Sequence, residues 1–251
     1  MDERKKIEAE YYNKRVQMGS GDFEGFEPGQ LASFKFLYDL LPRFCLNKTV
    51  LDYGCGNGIH LSFLVKAGAQ KIIAIDLSEK SLQAAKELAK KQGIGNLIEF
   101  KIADCESTGL PENYFDVVFD GGTFSSLDSK KAFSEITRVL KKEGVLIGIE
   151  TFGHNPLTNL KRKLSQKRTA WAQSHIFKKS DIELAKDYFS NVQVYYFHLI
   201  SWLAFPLLNL PGGKLILRLL EGVDRALFLL PFLRSFAFKV VFIFSNAKKI
   251  I

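Results

Sequence analysis

The run VLDYGCGNG, residues 50–58, restricts this chain more than any other stretch. A short apolar segment carries Asp52, and Gly54, Gly56 and Gly58 follow at alternate positions. Glycines spaced in this way let a strand turn sharply into a helix and let the backbone approach a ligand closely. The first turn of the helix adds free N–H groups and a positive dipole end. A second apolar run, KIIAID, closes on Asp76.

The alternation continues on both sides. TVLDY, KIIAID, LIEFKIA, FDVVFD and VLIGIET are short apolar runs of the kind buried on both faces of a parallel sheet. Between them lie SEKSLQAAKELAKKQG, with Ser78 placed as N-cap and Gly93 as C-cap, and SKKAFSEITRVLKKEG. After Thr151, SDIELAKDYF reads as a helix, and NVQVYYFHLIS and FAFKVVFIFSN as two more strands. Such a series predicts an α/β protein with a doubly wound, mostly parallel, seven-stranded sheet. Its ligand should sit beyond the carboxyl ends of the strands. Residues 1–45 read as helical, with Leu31, Phe34, Leu37, Leu40 and Leu41 on one face and a glycine-rich loop from Gly19 to Gly29. The 251 residues then divide into a helical lid (1–45) and one domain (46–251), the latter with a basic segment (155–180) and an apolar insert (201–235).

A dinucleotide fingerprint needs G-x-G-x-x-G, whereas this chain has D-x-G-x-G-x-G. A carboxylate beside the turn suits a ligand with a cationic end better than a pyrophosphate. Asp76, at the end of the second strand, is placed to accept hydrogen bonds from a ribose.

On these residues the chain resembles the class I S-adenosylmethionine-dependent methyltransferases over residues 46–152, which implies a Rossmann-like methyltransferase fold. VLDYGCGNG is similar to the family's glycine-rich first motif, which implies that Asp52, Gly54, Cys55 and Gly56 wrap the methionine part of S-adenosyl-L-methionine. Asp76 and Leu77 match the ribose position, and Asp104 with Cys105 matches the adenine position. FDVVFDGGTFSSL, containing Asp120, falls where the sulfonium and the acceptor meet. EYYNKR resembles a cofactor-lidding helix, which makes Tyr11 and Tyr12 candidates to cover the sulfonium.

Methyl transfer needs alignment more than acid–base groups, and a base only where the acceptor carries a proton. His154, just beyond the fifth strand, is the first candidate base and Asp120 the second. The small residues Gly121, Gly122, Thr123 and Ser125 are expected to leave room for a bulky acceptor. His175 is a candidate for a substrate phosphate, whereas His60 and His198 read as structural.

Charge divides the chain. Residues 1–150 hold 20 Lys/Arg against 22 Asp/Glu, and residues 151–251 hold 15 against 5. The segment 161–179 carries seven Lys/Arg and no acid, and 201–235 is rich in leucine and phenylalanine yet broken by prolines and glycines. That combination is a poor membrane span but a good interfacial element on an anionic surface. The expected activity is therefore methyl transfer to an O or N atom of a hydrophobic or lipid-linked small molecule at a membrane surface. Two alternatives stand: a soluble small-molecule O- or N-methyltransferase with the insert as an active-site lid, and a non-catalytic cofactor-binding membrane adaptor. Nucleic acid is disfavoured, since DGGTFSSL lacks the N/D-P-P-Y/F signature of such relatives. The charged N-terminus and three scattered cysteines, with no paired metal spacing, lead to the expectation of a cytoplasmic location, peripheral at the inner membrane face.

Overall fold

The computed structural model describes residues 2–18, 28–155, 159 and 169–248. Helix α1 (Glu3–Gln17) begins at Asp2, whose carboxylate accepts the Lys5 N–H at 3.1 Å. Helix α2 (Ala32–Cys45) buries Phe34, Leu37 and Leu41, the face expected from their spacing, while Leu40 is only half-buried. The order then runs β1 (Thr49–Tyr53), α3 (Leu61–Lys66), β2 (Lys71–Asp76), α4 (Glu79–Lys91), β3 (Ile98–Ile102), β4 (Phe115–Asp120), α5 (Ser129–Val139) and β5 (Leu140–Thr151). It ends with α6 (Ala170–Ser174), α7 (Lys179–Tyr188), β6 (Phe189–Phe197), α8 (Gly213–Leu227) and β7 (Lys239–Ala247).

The seven strands form one sheet in the order β3-β2-β1-β4-β5-β7-β6. The first five are parallel, and β7 runs antiparallel to both β5 and β6. Successive strand residues serve opposite faces. Leu51, Val118, Leu146 and Phe242 face a core closed by α5 and α7, and Val50, Val117, Ile147 and Val241 face one closed by α2, α3 and α4.

Local signals decide the helix ends. Ser78 Oγ accepts the Ser81 N–H at 3.0 Å and starts α4. Gly93, at φ 70°, stops it: the Gly93 N–H bonds to the Lys90 carbonyl and the Ile94 N–H to that of Ala89. The stretch LKKEG departs from expectation. It reads as the end of a helix, but α5 stops at Val139 and Leu140 already pairs with Phe115. The register then jumps to Val117 opposite Val145, so residues 141–144 bulge out before the strand resumes.

The insert between β6 and β7 folds as a 3-10 stretch (Ser201–Leu207), α8 and a second 3-10 stretch (Pro231–Phe236). Among the described residues no helix is long and apolar enough to cross a membrane. The cations at 161–168 lie outside the described residues.

Candidate cofactor and acceptor site

The carboxyl ends of β1, β2, β4 and β5 reach one edge of the sheet, where β7 also begins, because Thr151 pairs with Lys239. Helix α1 lies across this edge, tied to α4 through Asn13, whose side-chain oxygen accepts from Ser78 Oγ at 2.8 Å and the Lys80 N–H at 3.1 Å. A cavity of about 400 Å³ opens between them.

The glycine turn forms one wall. Gly54, Gly56 and Gly58 all take positive φ, at 73°, 53° and 79°. A Cβ at Gly54 would stand 2.4 Å from Thr123 Oγ1, which itself donates to the Tyr53 carbonyl at 3.0 Å. Asp76 orders the turn: its carboxylate accepts the Gly56 N–H at 2.9 Å and the Ser78 N–H at 2.8 Å. Tyr12, Gly54, Cys55, Gly56, Asp76, Leu77, Asp104 and Cys105, eight of the expected cofactor residues, line this one cavity.

Two expected cofactor residues do not line it. Asp52 lies behind the turn, 1% exposed, and neither of its carboxylate oxygens has a hydrogen-bond partner among the described residues. Burial and then the Asp76 charge push its pKa up to about 8. Asp120 is fully buried, and it accepts the Gly122 N–H at 3.3 Å and the Thr123 N–H at 3.0 Å. Burial, then Glu150, raises its pKa despite those bonds. Asp120 therefore shapes the turn rather than reaching the cavity.

His154 is not brought to the cavity either. Its Nε2 accepts the Lys179 N–H at 3.0 Å, and its ring meets Phe152. Partial desolvation, then the Lys178 and Lys179 charges, hold its pKa below the usual imidazole value. His154 thus fastens the start of α7, which corrects its placement as a base beside the acceptor. The room expected beside Gly121 is also taken, since a Cβ there would lie 2.6 Å from the His60 ring. His60 lines the cavity and receives Tyr38 at 2.9 Å; burial drives its pKa to about 3, so it is neutral. His198 is buried between Ser33 and Ser201, and His175 is an exposed ring stacked on Trp171.

Several residues of this edge were not expected. Arg4 and Lys5 reach down from α1, Arg4 to Glu106 at 2.5 Å and Lys5 to Asp104 at 2.5 Å. Glu150 lines the cavity while accepting the Phe124 N–H at 2.6 Å. An acid inside the apolar strand VLIGIET was the available signal, because such a group persists only when it is bonded. Glu8, Phe205 and Lys239 complete the wall from three distant elements. No local pattern announces them. Among the described residues no cluster of three metal-ligand side chains occurs.

The donor set fits a cofactor with a ribose and a cationic end. Asp76 and Leu77 would suit a ribose, and the buried carboxylate of Asp52, without a hydrogen-bond partner among the described residues, would suit a cationic end behind a turn that is crowded at Gly54 and Gly58.

A Rossmann-like sheet with a glycine turn after β1 and an acid closing β2 defines a class of proteins that bind a nucleoside-containing cofactor. A family profile described as a methyltransferase domain matches residues 46–201, and the chain belongs to that family of S-adenosylmethionine-dependent methyltransferases. Protein-lysine N-methyltransferase EFM4 of Saccharomyces cerevisiae is 32% identical over 118 residues, covering 42% of this chain and 52% of that one. Geranyl diphosphate C-methyltransferase from Streptomyces coelicolor A3(2), solved with S-adenosyl-L-homocysteine, superposes at a TM-score of 0.64. It is 15% identical and covers 98% of each chain, a likeness of fold. Phosphoethanolamine N-methyltransferase 2 of Haemonchus contortus gives 0.61 at 18% identity, over 95% of this chain and 57% of that one. The chain spans about half the length, or less, of the curated relatives it matches.

Proposed function

We propose that this protein transfers the methyl group of S-adenosylmethionine to an O or N atom of a hydrophobic, lipid-like acceptor at a membrane surface. The carrying observation is the orientation of α8. Its inward stripe is Gly213, Leu217, Glu221 and Asp224. Asp224 accepts the N–H groups of Leu199, Ile200 and Ser201, and Glu221 accepts that of Ala32. Several of its apolar residues turn outward: Leu215 is 62% exposed, Leu219 64%, and Phe232 just beyond it 66%. Lys214, Arg218, Arg225 and Arg234 are exposed among them. A helix that hides its acids and displays leucine between cations suits a headgroup interface.

The same insert supplies Phe205 to the cavity wall, which supports an acceptor entering from that side. Phe205 equally supports a second reading, a soluble acceptor with the insert as lid. On either reading the cofactor's ribose lies at Asp76 and Leu77, its adenine at Asp104 and Cys105, and its methionine end at Gly54–Gly56 ahead of Asp52, under Tyr12. When bound, the cofactor supplies an electrophilic methyl group, and the protein aligns the acceptor with it and excludes water.

Co-sedimentation with neutral and anionic vesicles, at low and high salt, tests the reading. Salt-sensitive binding to anionic vesicles, with label from S-adenosylmethionine entering the lipid extract, is expected. Absence of vesicle binding at every salt concentration would overturn the membrane reading in favour of the lid.

A further inference from the structure

The one buried residue of helix α1 is Glu8, at 5% exposure. Glu8 belongs to the cavity wall. Its Oε1 accepts the Thr169 hydroxyl, and that hydroxyl in turn accepts the Ala172 N–H at 3.1 Å and starts α6. Its Oε2 has no hydrogen-bond partner among the described residues. A carboxylate oxygen withdrawn from water is strongly unfavourable until something bonds to it. One oxygen of this side chain is fixed by Thr169, and the other is buried in the cavity wall without a bond among the described residues.

We infer that Glu8 receives the amino group of the acceptor, so that the acceptor is an amine carried on an apolar chain. The inference rests on the proposed methyl transfer and narrows it. An ammonium compensates the buried negative charge and makes a charge-assisted bond, whereas a hydroxyl gives only a neutral one. Leu31, Phe34 and Phe205 line the same cavity and supply apolar surface for the chain that carries the nitrogen. The remaining described wall acids have other duties: Glu106 and Asp104 hold Arg4 and Lys5, Asp76 orders the glycine turn, and Glu150 holds the Phe124 N–H.

The chemistry closes on this residue. An alkylamine is protonated at neutral pH and has no lone pair to give. Glu8 Oε2 takes one ammonium proton. The freed lone pair forms the N–C bond to the methyl carbon as the C–S bond breaks, its electron pair passing to sulfur. The products are a secondary ammonium, a neutral thioether and a protonated Glu8, which returns its proton to solvent.

Octylamine and octanol, titrated calorimetrically into protein saturated with S-adenosylhomocysteine, test the assignment. The wild type should bind octylamine at least tenfold more tightly than octanol. Glu8→Gln, which keeps an oxygen for Thr169, should lose that preference while octanol and S-adenosylhomocysteine affinity stay within error and Tm does not fall. Equal affinity for the two probes in the wild type, or an intact preference in Glu8→Gln, would overturn the inference. So would parallel loss of both probes and S-adenosylhomocysteine, which would make Glu8 a support of the lid. Methylation of a hydroxyl lipid in vesicles, undiminished in Glu8→Gln, would remove the amine assignment and leave the membrane reading standing. Lost vesicle binding with an intact Glu8-dependent amine preference would do the reverse.

Discussion

Asp120 and Glu150, which close neighbouring parallel strands, hold consecutive N–H groups of one turn. Asp120 takes those of Gly122 and Thr123, and Glu150 takes that of Phe124 at 2.6 Å. This turn, which forms part of the cavity wall, therefore hangs from two buried carboxylates whose charges oppose each other. Asp120→Ala leaves two N–H groups without an acceptor, and urea unfolding should show a loss of about 1–3 kcal/mol. Glu150→Gln should cost less, because Phe124 keeps an oxygen and the repulsion disappears.

Asp52 links stability and binding to pH. Its carboxyl ordinarily titrates at 3.8 and is pushed up to about 8 in the fold. A raised folded pKa means that its contribution is complete below about 4 and is lost as pH climbs from there through 8. Asp52→Asn should therefore melt above the wild type at pH 9, with the gap shrinking toward pH 4. A cationic cofactor end drawn to Asp52 should also pull that pKa down. Binding at pH 7 should release up to about one proton in the wild type and none in the variant, seen by calorimetry in buffers of different ionisation enthalpy.

Asp76 orders the glycine turn and lines the cavity, where the proposed function puts the ribose. Asp76→Ala should weaken S-adenosylhomocysteine binding between ten- and a hundredfold, the scale of about 1.5–3 kcal/mol for bonds to a charged group. Isothermal titration reads this directly.

The outward face of α8 gives a cleaner separation. Leu215, Leu219 and Val223 are 62%, 64% and 45% exposed, so replacing all three by serine should leave Tm and cofactor affinity unchanged. Vesicle partitioning should fall at least about tenfold, given roughly 1 kcal/mol for each half-buried side chain. Co-sedimentation before and after the triple change makes the comparison.

The glycine-turn wall of the cavity was legible in the sequence because its determinants are local. Gly54, Gly56 and Asp76 sit at strand ends, where one apolar run and one turn fix their place, and Ser78 and Gly93 bound α4 through bonds three to five residues long. The opposite wall was not, because it assembles across the chain. Glu8 meets Thr169 161 residues away, and Lys239 reaches the edge only because β7 enters antiparallel beside Thr151. His154 stands at the right strand end, but sequence position does not say that its ring turns toward α7. Strand pairing likewise overrode the helical appearance of LKKEG, since Leu140 is more useful opposite Phe115 than in a last helical turn. In α8 the sequence shows leucines beside sparse cations, but only the bonds made by Glu221 and Asp224 reveal which face is turned inward.

The insert leaves the sheet at Phe197 and returns at Lys239, and those two residues are register partners on adjacent strands. Its ends thus lie one strand spacing apart, about 4.8 Å. Topologically it is an oversized hairpin loop, and a short turn in its place would keep every strand in register. Evolution or an engineer can therefore exchange this excursion as a cassette, reshaping the cavity wall that Phe205 supplies while the glycine-turn end of the sheet is inherited intact.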